Sequence, residues 1–302
     1  MKRLLNTLYI TSGNRYLSLD GENVVVMEDK KEIGRIPLHN LQAIVTFGYT
    51  GASPALMGAC AQRDIELSFM SGNGRFLARV SGEEKGNVTL RKTQYRISEK
   101  KEESVKIAKN FILGKVYNAR WVLERAARDY SMRLDAELLK KKSAFLGQSM
   151  NKIRECEDAG TLLGLEGEAA SVYFSAFDEL ILQQKEDFYF HGRNKRPPLD
   201  NVNAMLSFGY SLLAGMCGGT LEAVGLDPYV GFFHTDRPGR MSLALDLMEE
   251  FRSVMVDRFV LTLINKRIMK PEYFLTKENG AVIMTEEGRK AFLSAWQGKN
   301  RR

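Results

Sequence analysis

Cysteine and histidine are scarce in this sequence, with three residues of each type among 302. Cys60, Cys156 and Cys217 lie far apart, and their number is odd. This spacing excludes a zinc ribbon and argues against a disulfide-stabilised scaffold. We therefore expect three small buried thiols and a protein of a reducing compartment, the cytoplasm.

Long apolar segments and several common motifs are also missing. No run of 18 apolar residues occurs, so we expect no membrane span. The chain has no P-loop signature, no His-Glu-x-x-His zinc motif and no Gly-x-Ser-x-Gly hydrolase elbow. These absences argue against a P-loop ATPase, a zinc protease with that motif and an α/β-hydrolase.

Positive charge is in excess, because 44 Lys and Arg residues face 37 Asp and Glu residues, a net charge of +7. A basic surface suits either nucleic acid or an anionic membrane. No basic amphipathic anchor segment is visible in the chain. The charge balance therefore favours nucleic acid as the partner.

The spacing of apolar residues changes near residue 85. Before it, short runs with strand periodicity alternate with turn signals, among them Tyr16–Leu19, Val24–Met27 and Ile65–Met70, and Ser53–Arg63 is predicted as one short helix. After it, the apolar period becomes helical. Met205–Val224 is apolar nearly all round, which predicts a central buried helix.

This change predicts a multidomain α+β protein. Residues 1–85 would form a β-rich, sandwich-like domain, with an Asn73-Gly74 hairpin turn. Residues 86–302 would form an all-α domain, in which Gly160–Gln184, Ser242–Lys266 and Glu286–Trp296 are expected to be helices. We find no internal repeat and no low-complexity segment.

Glu166 is the first residue that could carry chemistry. It lies in a helical and otherwise apolar segment with many small residues, Leu162–Ala170. A carboxylate in such surroundings is costly unless it is paired or bound to a cation. An exposed glutamate near a helix N-terminus, where the helix dipole favours negative charge, is the other interpretation, and this segment alone favours it.

A second candidate set surrounds His234. A loop rich in Gly and Pro follows this histidine, and then a helix carries Asp246 and Glu249, three residues apart and thus on one face. An imidazole and two carboxylates in this order can converge on Mn²⁺, or on Mg²⁺ with waters completing its shell. A core histidine beside a solvated acidic helix face explains the local pattern equally well.

A basic loop, His191–Pro198, contains Arg193 and Arg196 and directly follows three aromatic residues. Basic residues beside aromatic ones can contact phosphates and stack on unpaired bases. A solvated basic turn is an equally good interpretation of the loop by itself.

Three ordered segments together resemble one family, the CRISPR-associated adaptation integrases (the Cas-one family), over nearly the whole chain. The segments are Leu165-Glu166-Gly167, then Arg196-Pro197-Pro198-x-Asp200-x-x-Asn203-Ala204-x-Leu206-Ser207-x-x-Tyr210, then His234-x-x-x-Pro238-Gly239-Arg240-x-Ser242-Leu243-Ala244-x-Asp246-Leu247-Met248-Glu249-Glu250-Phe251-Arg252. Three segments with the correct spacing are far more specific than any one alone. The chain is most similar to the type I group, as in subtype I-C.

The resemblance implies a site and a reaction. It carries the metal ligands over onto Glu166, His234 and Glu249, for Mg²⁺ or Mn²⁺, with Asp246 as a further acid of the site. It implies a DNA endonuclease and integrase that joins 3′-OH ends of short DNA to the repeat array by transesterification. Further DNA contacts are expected from five residues: Arg193, Arg196, Tyr210, Arg237 and Arg240.

The resemblance also implies partners. The expected ones are DNA, as the incoming duplex fragment and the CRISPR repeat, and a second copy of the chain bound through the β-rich domain. Two such homodimers would flank a dimer of a small Cas-two partner in a heterohexamer, and some subtypes add a Cas-four nuclease.

Two other functions remain open from the sequence. One is a stand-alone, structure-selective metallonuclease of DNA repair that uses the same residues. The other is a non-catalytic DNA-binding subunit with a decayed site.

Overall fold

The computed structural model describes residues 7–72, 74–83 and 87–300, without the side chains of residues 299 and 300. Asn73, at the predicted hairpin turn, lies outside these ranges. Residues 84–86, at the predicted domain boundary, also lie outside them.

Strands dominate residues 7–83, as the sequence predicts. They are β1 (Thr7–Ile10), β2 (Arg15–Asp20), β3 (Asn23–Glu28), β4 (Lys31–Pro37), β5 (Ala43–Phe47), β6 (Gly51–Ala52), β7 (Glu66–Met70) and β8 (Phe76–Val80), with α1 (Pro54–Gln62) between β6 and β7. They form two four-stranded sheets, in the orders β1-β5-β7-β8 and β4-β3-β2-β6. In the first sheet β5 runs parallel to β1 and β7, whereas β8 is antiparallel to β7.

One apolar core joins both sheets to α1. Leu17 and Val24 from one sheet, Ile44 and Leu67 from the other, and Leu56 from α1 are fully buried in a single cluster. Side chains of this size contribute about 1.5–3 kcal/mol each when they are withdrawn from water. The shared core explains the sandwich-like arrangement and confirms the predicted β-rich first part.

Helix α1 begins where the sequence predicts. Ser53 Oγ accepts a hydrogen bond from the Leu56 amide at 3.2 Å, which satisfies a backbone donor of the first turn. Pro54 occupies that turn, where its missing N–H costs nothing.

The chain after residue 87 is mainly helical, as predicted. Its helices are α2 (Val88–Ser98), α3 (Lys101–Asp129), α4 (Ala136–Glu155), α5 (Ala159–Ser175), α6 (Asn201–Ala223), α7 (Ser242–Phe251), α8 (Arg258–Asn265) and α9 (Glu286–Asn300). A small hairpin, β9 (Phe274–Thr276) and β10 (Val282–Met284), adds two strands that the sequence did not predict.

Helix α5 ends nine residues before the predicted end of the Gly160–Gln184 helix, at Ser175. The reason is a side chain from α8. Asn265 accepts a hydrogen bond from the Leu182 amide at 2.7 Å and donates one to the Leu180 carbonyl at 2.9 Å. These bonds satisfy the backbone groups that a continued helix would have paired internally.

A π-helical segment, Arg252–Asp257, separates α7 from α8 within what the sequence predicts as one helix, Ser242–Lys266. Such wide turns are rare and occur frequently at functional sites. The segment begins three residues after Glu249.

Contacts divide the chain into two units. The first comprises Met1–Lys85, Glu272–Leu275 and Ile283–Arg302, and the second comprises Gly86–Pro271 and Thr276–Val282. Helix α9 is grouped with the first unit, and the expected division into 1–85 and 86–302 stays a prediction. Within the first unit, Ser12 Oγ donates to Glu286 Oε1 at 2.9 Å, which ties the start of α9 to the β-rich part.

In the described part of the chain, one helix, α6, is long and apolar enough to cross a membrane. Of its most apolar window, 61% is buried inside the structure, as in the core helix of a globular unit. Its buried side chains include Val202, Met205, Leu206 and Leu213, so the predicted central buried helix is confirmed.

Candidate metal centre

Asp246 of α7 holds His234 and the loop before it. Its carboxylate is fully buried and accepts hydrogen bonds from the amides of Phe232 (2.6 Å), Phe233 (2.9 Å) and His234 (2.8 Å). It also lies 2.7 Å from His234 Nδ1. Because an ionised carboxylate only accepts, Nδ1 carries the proton of that bond, and Nε2 remains as the nitrogen that can bind a cation.

Gly231 allows this close approach. A Cβ at this position would lie 2.8 Å from the His234 carbonyl oxygen, 2.8 Å from Ser242 Cβ and 3.0 Å from an Asp246 carboxylate oxygen. Any side chain here would therefore push the histidine loop away from α7.

Gln94 of α2 holds the same loop from its other end. Its side-chain amide donates to the carbonyls of Asp227 (2.8 Å) and Val230 (2.9 Å), and its oxygen accepts from the Asp227 amide at 2.9 Å. Sequence reasoning missed Gln94, since a single amide in a polar helix carries no signal of such a role.

Glu166 and Glu249 converge on one cation of the chain, Lys115. Lys115 Nζ of α3 pairs with Glu166 Oε1 of α5 and lies 2.7 Å from Glu249 Oε2 of α7. Three helices thus bring together residues that are up to 134 positions apart in the sequence. The sequence predicted both carboxylates but not the lysine between them.

Glu249 is almost fully buried, with 3% of its surface exposed, and it is ionised. Burial on its own would raise the pKa of Glu249, but the charges of Lys115 and Arg252 outweigh that effect and hold the pKa below its ordinary value. Arg252 Nη1 donates to Glu249 Oε1 at 2.7 Å.

The donors fit a hard divalent cation. Glu249 Oε2 is buried and makes no well-aligned hydrogen bond, although Lys115 Nζ lies close to it. Carboxylate oxygens together with an imidazole nitrogen suit Mg²⁺ and Mn²⁺. As the side chains lie, no three His, Cys, Asp or Glu residues of the described chain are gathered closely enough to hold a metal.

Tyr210 and Arg193, both predicted as DNA contacts, lie behind this centre. The Tyr210 hydroxyl donates to Asp257 Oδ1, and its ring is flanked by the guanidinium carbons of Arg252 at 4.7 Å and Arg193 at 5.3 Å. Tyr210 is buried, so in this structure it supports Arg252 and is not presented to solvent. Arg193 also donates to Asn203 Oδ1 at 2.6 Å.

The other predicted DNA contacts are closer to the surface. Arg196 and Arg237 are exposed, whereas Arg240 is half-buried and donates to the carbonyl oxygen of Thr235. Contact of any of these residues with DNA stays a prediction.

The buried carboxyl of Asp257 makes the free energy of unfolding depend on pH. Burial raises the pKa of Asp257 to about 6, against the opposing effect of hydrogen bonds from Tyr210 and Tyr173. The folded protein thus binds this proton more tightly than the unfolded chain, and the stabilisation is lost as the pH rises through about 6. We expect the unfolding free energy of the wild type, relative to Asp257→Asn, to fall between pH 4 and pH 7.

Urea unfolding at several pH values in that window measures this difference. Asp187→Asn, at an exposed position, removes the same charge and should give a difference that varies much less with pH. A wild-type advantage over Asp257→Asn that stays constant from pH 4 to pH 7 would contradict the prediction.

The fold and this centre define the class of the protein: a two-unit α+β chain with a partly buried histidine–carboxylate site in its helical unit. The family model of CRISPR associated protein Cas1 matches residues 8–298. The chain is 50% identical, over 100% of its length and 88% of the relative, to CRISPR-associated endonuclease Cas1 2 of Rhodospirillum rubrum. It is 46% identical to CRISPR-associated endonuclease Cas1 1 of Chlorobaculum tepidum, over 98% of this chain and 87% of the relative. The chain therefore belongs to the Cas1 family, as its motifs implied.

Solved structures share the fold. A CAS1 protein from Thermotoga maritima superimposes with a TM-score of 0.83 at 24% identity, covering 99% of this chain and 91% of that one. A casposase bound to integration product has a TM-score of 0.82 at 25% identity, covering 97% and 82%. A Cas6-RT-Cas1–Cas2 complex gives 0.80 at 22% identity, covering 99% of this chain and 32% of the other.

One further relative joins two proteins in a single chain. It is the CRISPR-associated exonuclease Cas4/endonuclease Cas1 fusion of Geobacter sulfurreducens, 32% identical over 96% of this chain and 52% of the relative.

Proposed function

We propose that this protein is a metal-dependent DNA integrase of CRISPR spacer acquisition, with DNA endonuclease activity. One observation carries the proposal: in a member of the Cas1 family, Glu166 and Glu249 share a cation, and Asp246, three residues before Glu249 on the same helix, orients His234. The likeness to a casposase bound to integration product supports strand joining as the reaction.

Glu166, Glu249 and Nε2 of His234 would hold Mg²⁺ or Mn²⁺. When bound, such a metal lowers the pKa of an attacking hydroxyl and offsets charge on the phosphoryl group. The residues of the chain position these ligands: Asp246 fixes the imidazole, and Arg252 holds the Glu249 carboxylate. The exposed Arg196 and Arg237 would contact backbone phosphates, so DNA binding should weaken with salt.

The reaction needs no nucleotide cofactor. The 3′-oxygen of the incoming fragment forms a P–O bond to a repeat phosphate, and the P–O3′ bond of the repeat strand breaks. One proton passes from the attacking hydroxyl to the leaving oxygen. Water in place of the 3′-hydroxyl gives hydrolysis at the same centre, which is endonuclease activity.

The proposed partners follow from the family and from its named complexes. We propose a homodimer through the β-rich unit, with two dimers flanking a dimer of Cas2 in a heterohexamer, and Cas4 as a further partner. A Cas1–Cas2 complex and a Cas4/Cas1 fusion among the similar proteins support these pairings. The cytoplasm, where the repeat array lies, is the proposed location, and subtype I-C remains a prediction.

Strand joining tests the function. A labelled short duplex is incubated with the protein, its small partner and a plasmid carrying the repeat array, in Mn²⁺, Mg²⁺ or EDTA. We expect joined product with either metal and none with EDTA. A duplex ending in 3′-phosphate is the matched control, and it should not be joined because it lacks the attacking hydroxyl.

Other outcomes identify the other functions. Metal-dependent cutting of branched DNA without joining, unchanged by the 3′-phosphate, would indicate a stand-alone repair nuclease. DNA binding with neither cutting nor joining in any metal would indicate a non-catalytic subunit.

A further inference from the structure

Lys115 takes the position of a cation between the two carboxylates of the candidate metal centre. Its ammonium pairs with Glu166 and lies 2.7 Å from Glu249 Oε2, and only 14% of its side chain is exposed. Within the described chain, Lys115 is the one cation that pairs with Glu166. A divalent ion bridging the same two carboxylates would need the space that the ammonium fills.

We propose that Lys115 is an internal counter-cation that holds Glu166 and Glu249 together without metal and that a divalent metal must displace. The proposal rests on the metal site proposed above. It explains why the residue types suit a metal although, among the described residues, no three metal-binding side chains lie close enough together to hold one.

The charges of the centre explain the need for a counter-cation. Glu249 is buried and ionised, and a buried carboxylate is costly without a compensating charge. Arg252 compensates it at Oε1, but the other oxygen faces Lys115. Without Lys115, the Glu166 carboxylate and the buried Oε2 of Glu249 would both lose the positive charge that they now share.

The chemistry of lysine suits displacement. An ammonium is a compact point charge on a flexible four-carbon stem, so it can leave without moving the helix that carries it. It cannot share the same carboxylate oxygens with a dication, because the two positive charges would repel each other. Metal binding must therefore overcome the existing ion pairs, and removal of the lysine charge should make metal binding tighter.

Manganese binding measures this competition. Lys115→Met keeps an unbranched apolar side chain of similar size to the lysine stem but removes the charged ammonium. We expect Lys115→Met to bind Mn²⁺ about tenfold more tightly than the wild type in calorimetric titration, a typical coupling between two competing ligands. In EDTA the variant should melt at a lower temperature than the wild type, and added Mn²⁺ should raise its melting temperature by more.

Three further variants make the test specific. Lys106→Met removes an exposed lysine from the same helix and should change neither affinity nor melting temperature. Lys115→Arg keeps the charge and should not tighten Mn²⁺ binding. Lys115→Gln, which is polar but neutral, serves if the methionine variant does not fold, and it should tighten binding like Lys115→Met.

The outcomes separate the two proposals. Wild-type protein that binds Mn²⁺ as tightly as Lys115→Met, or more tightly, overturns the counter-cation role and leaves the metal site intact. If neither protein binds Mn²⁺, the metal site itself fails, and the counter-cation fails with it. Binding to Lys115→Met but not to the wild type would support the displacement.

Discussion

Glu249→Gln is expected to reduce metal-dependent strand joining by roughly 10³-fold, since the loss of several kcal/mol of metal-assisted stabilisation corresponds to about that factor. Glutamine keeps the shape of the side chain and can still accept a hydrogen bond from Arg252. It removes the negative charge that pairs with Lys115 and would bind the metal. The activity should be measured as initial rates in Mn²⁺, beside circular dichroism that checks the fold.

Glu250→Gln is the matched control because it makes the same chemical change one position away. Its backbone carbonyl accepts from Asn118 at 2.8 Å, and that bond does not depend on the side chain. We expect near wild-type rates for Glu250→Gln, and losses like that of Glu249→Gln for Glu166→Gln and His234→Ala. An active Glu249→Gln protein would exclude Glu249 as the third ligand.

Asp246→Ala is expected to destabilise the helical unit by about 3 kcal/mol, because three backbone donors lose their acceptor and each unpaired donor costs about 1–3 kcal/mol when buried. The donors are the amides of Phe232, Phe233 and His234. The variant also loses the acceptor that orients the His234 ring, so Mn²⁺ binding should weaken by about 10–100-fold. Urea unfolding and metal titration measure the two effects separately.

Asp236→Ala provides the comparison for this effect. Asp236 is exposed and accepts one hydrogen bond, from the Gly231 amide at 3.2 Å, in the same loop. Its replacement should cost far less stability. If Asp246→Ala unfolds like the wild type but binds no metal, Asp246 is a direct ligand and its structural role is wrong.

Glu166, His234, Asp246 and Glu249 could be proposed from the sequence as one site, and that assignment stays a prediction. The three-residue spacing put both acids of α7 on one face, but the contacts that each acid makes could not be predicted. Only the structure shows that Asp246 accepts four hydrogen bonds from the histidine loop, whereas Glu249 faces Glu166 and Lys115. Every residue except proline has a backbone N–H, so the sequence does not show which acid these donors will contact. The different contacts of Asp246 and Glu249 therefore could not be predicted.

Lys115 was missed for a similar reason. It lies in a helix with several lysines, and nothing in the local pattern distinguishes it from the exposed Lys106. Its pairing with Glu166 spans 51 positions, and long-range ion pairs depend on how helices pack. Helix α5 ends early for the same kind of reason. Asn265, 90 positions after Ser175, forms hydrogen bonds with the backbone of Leu180 and Leu182.

The π-helical segment after α7 allows two of its residues to contact the same tyrosine. Arg252 packs on the ring of Tyr210 while Asp257, five positions later, accepts from the hydroxyl of the same tyrosine. In a regular α-helix five residues span about 1.4 turns, so the two side chains would point in different directions. If the segment became a regular α-helix of the same length, Asp257 would turn away from the face that carries Arg252, and the tyrosine could no longer contact both side chains.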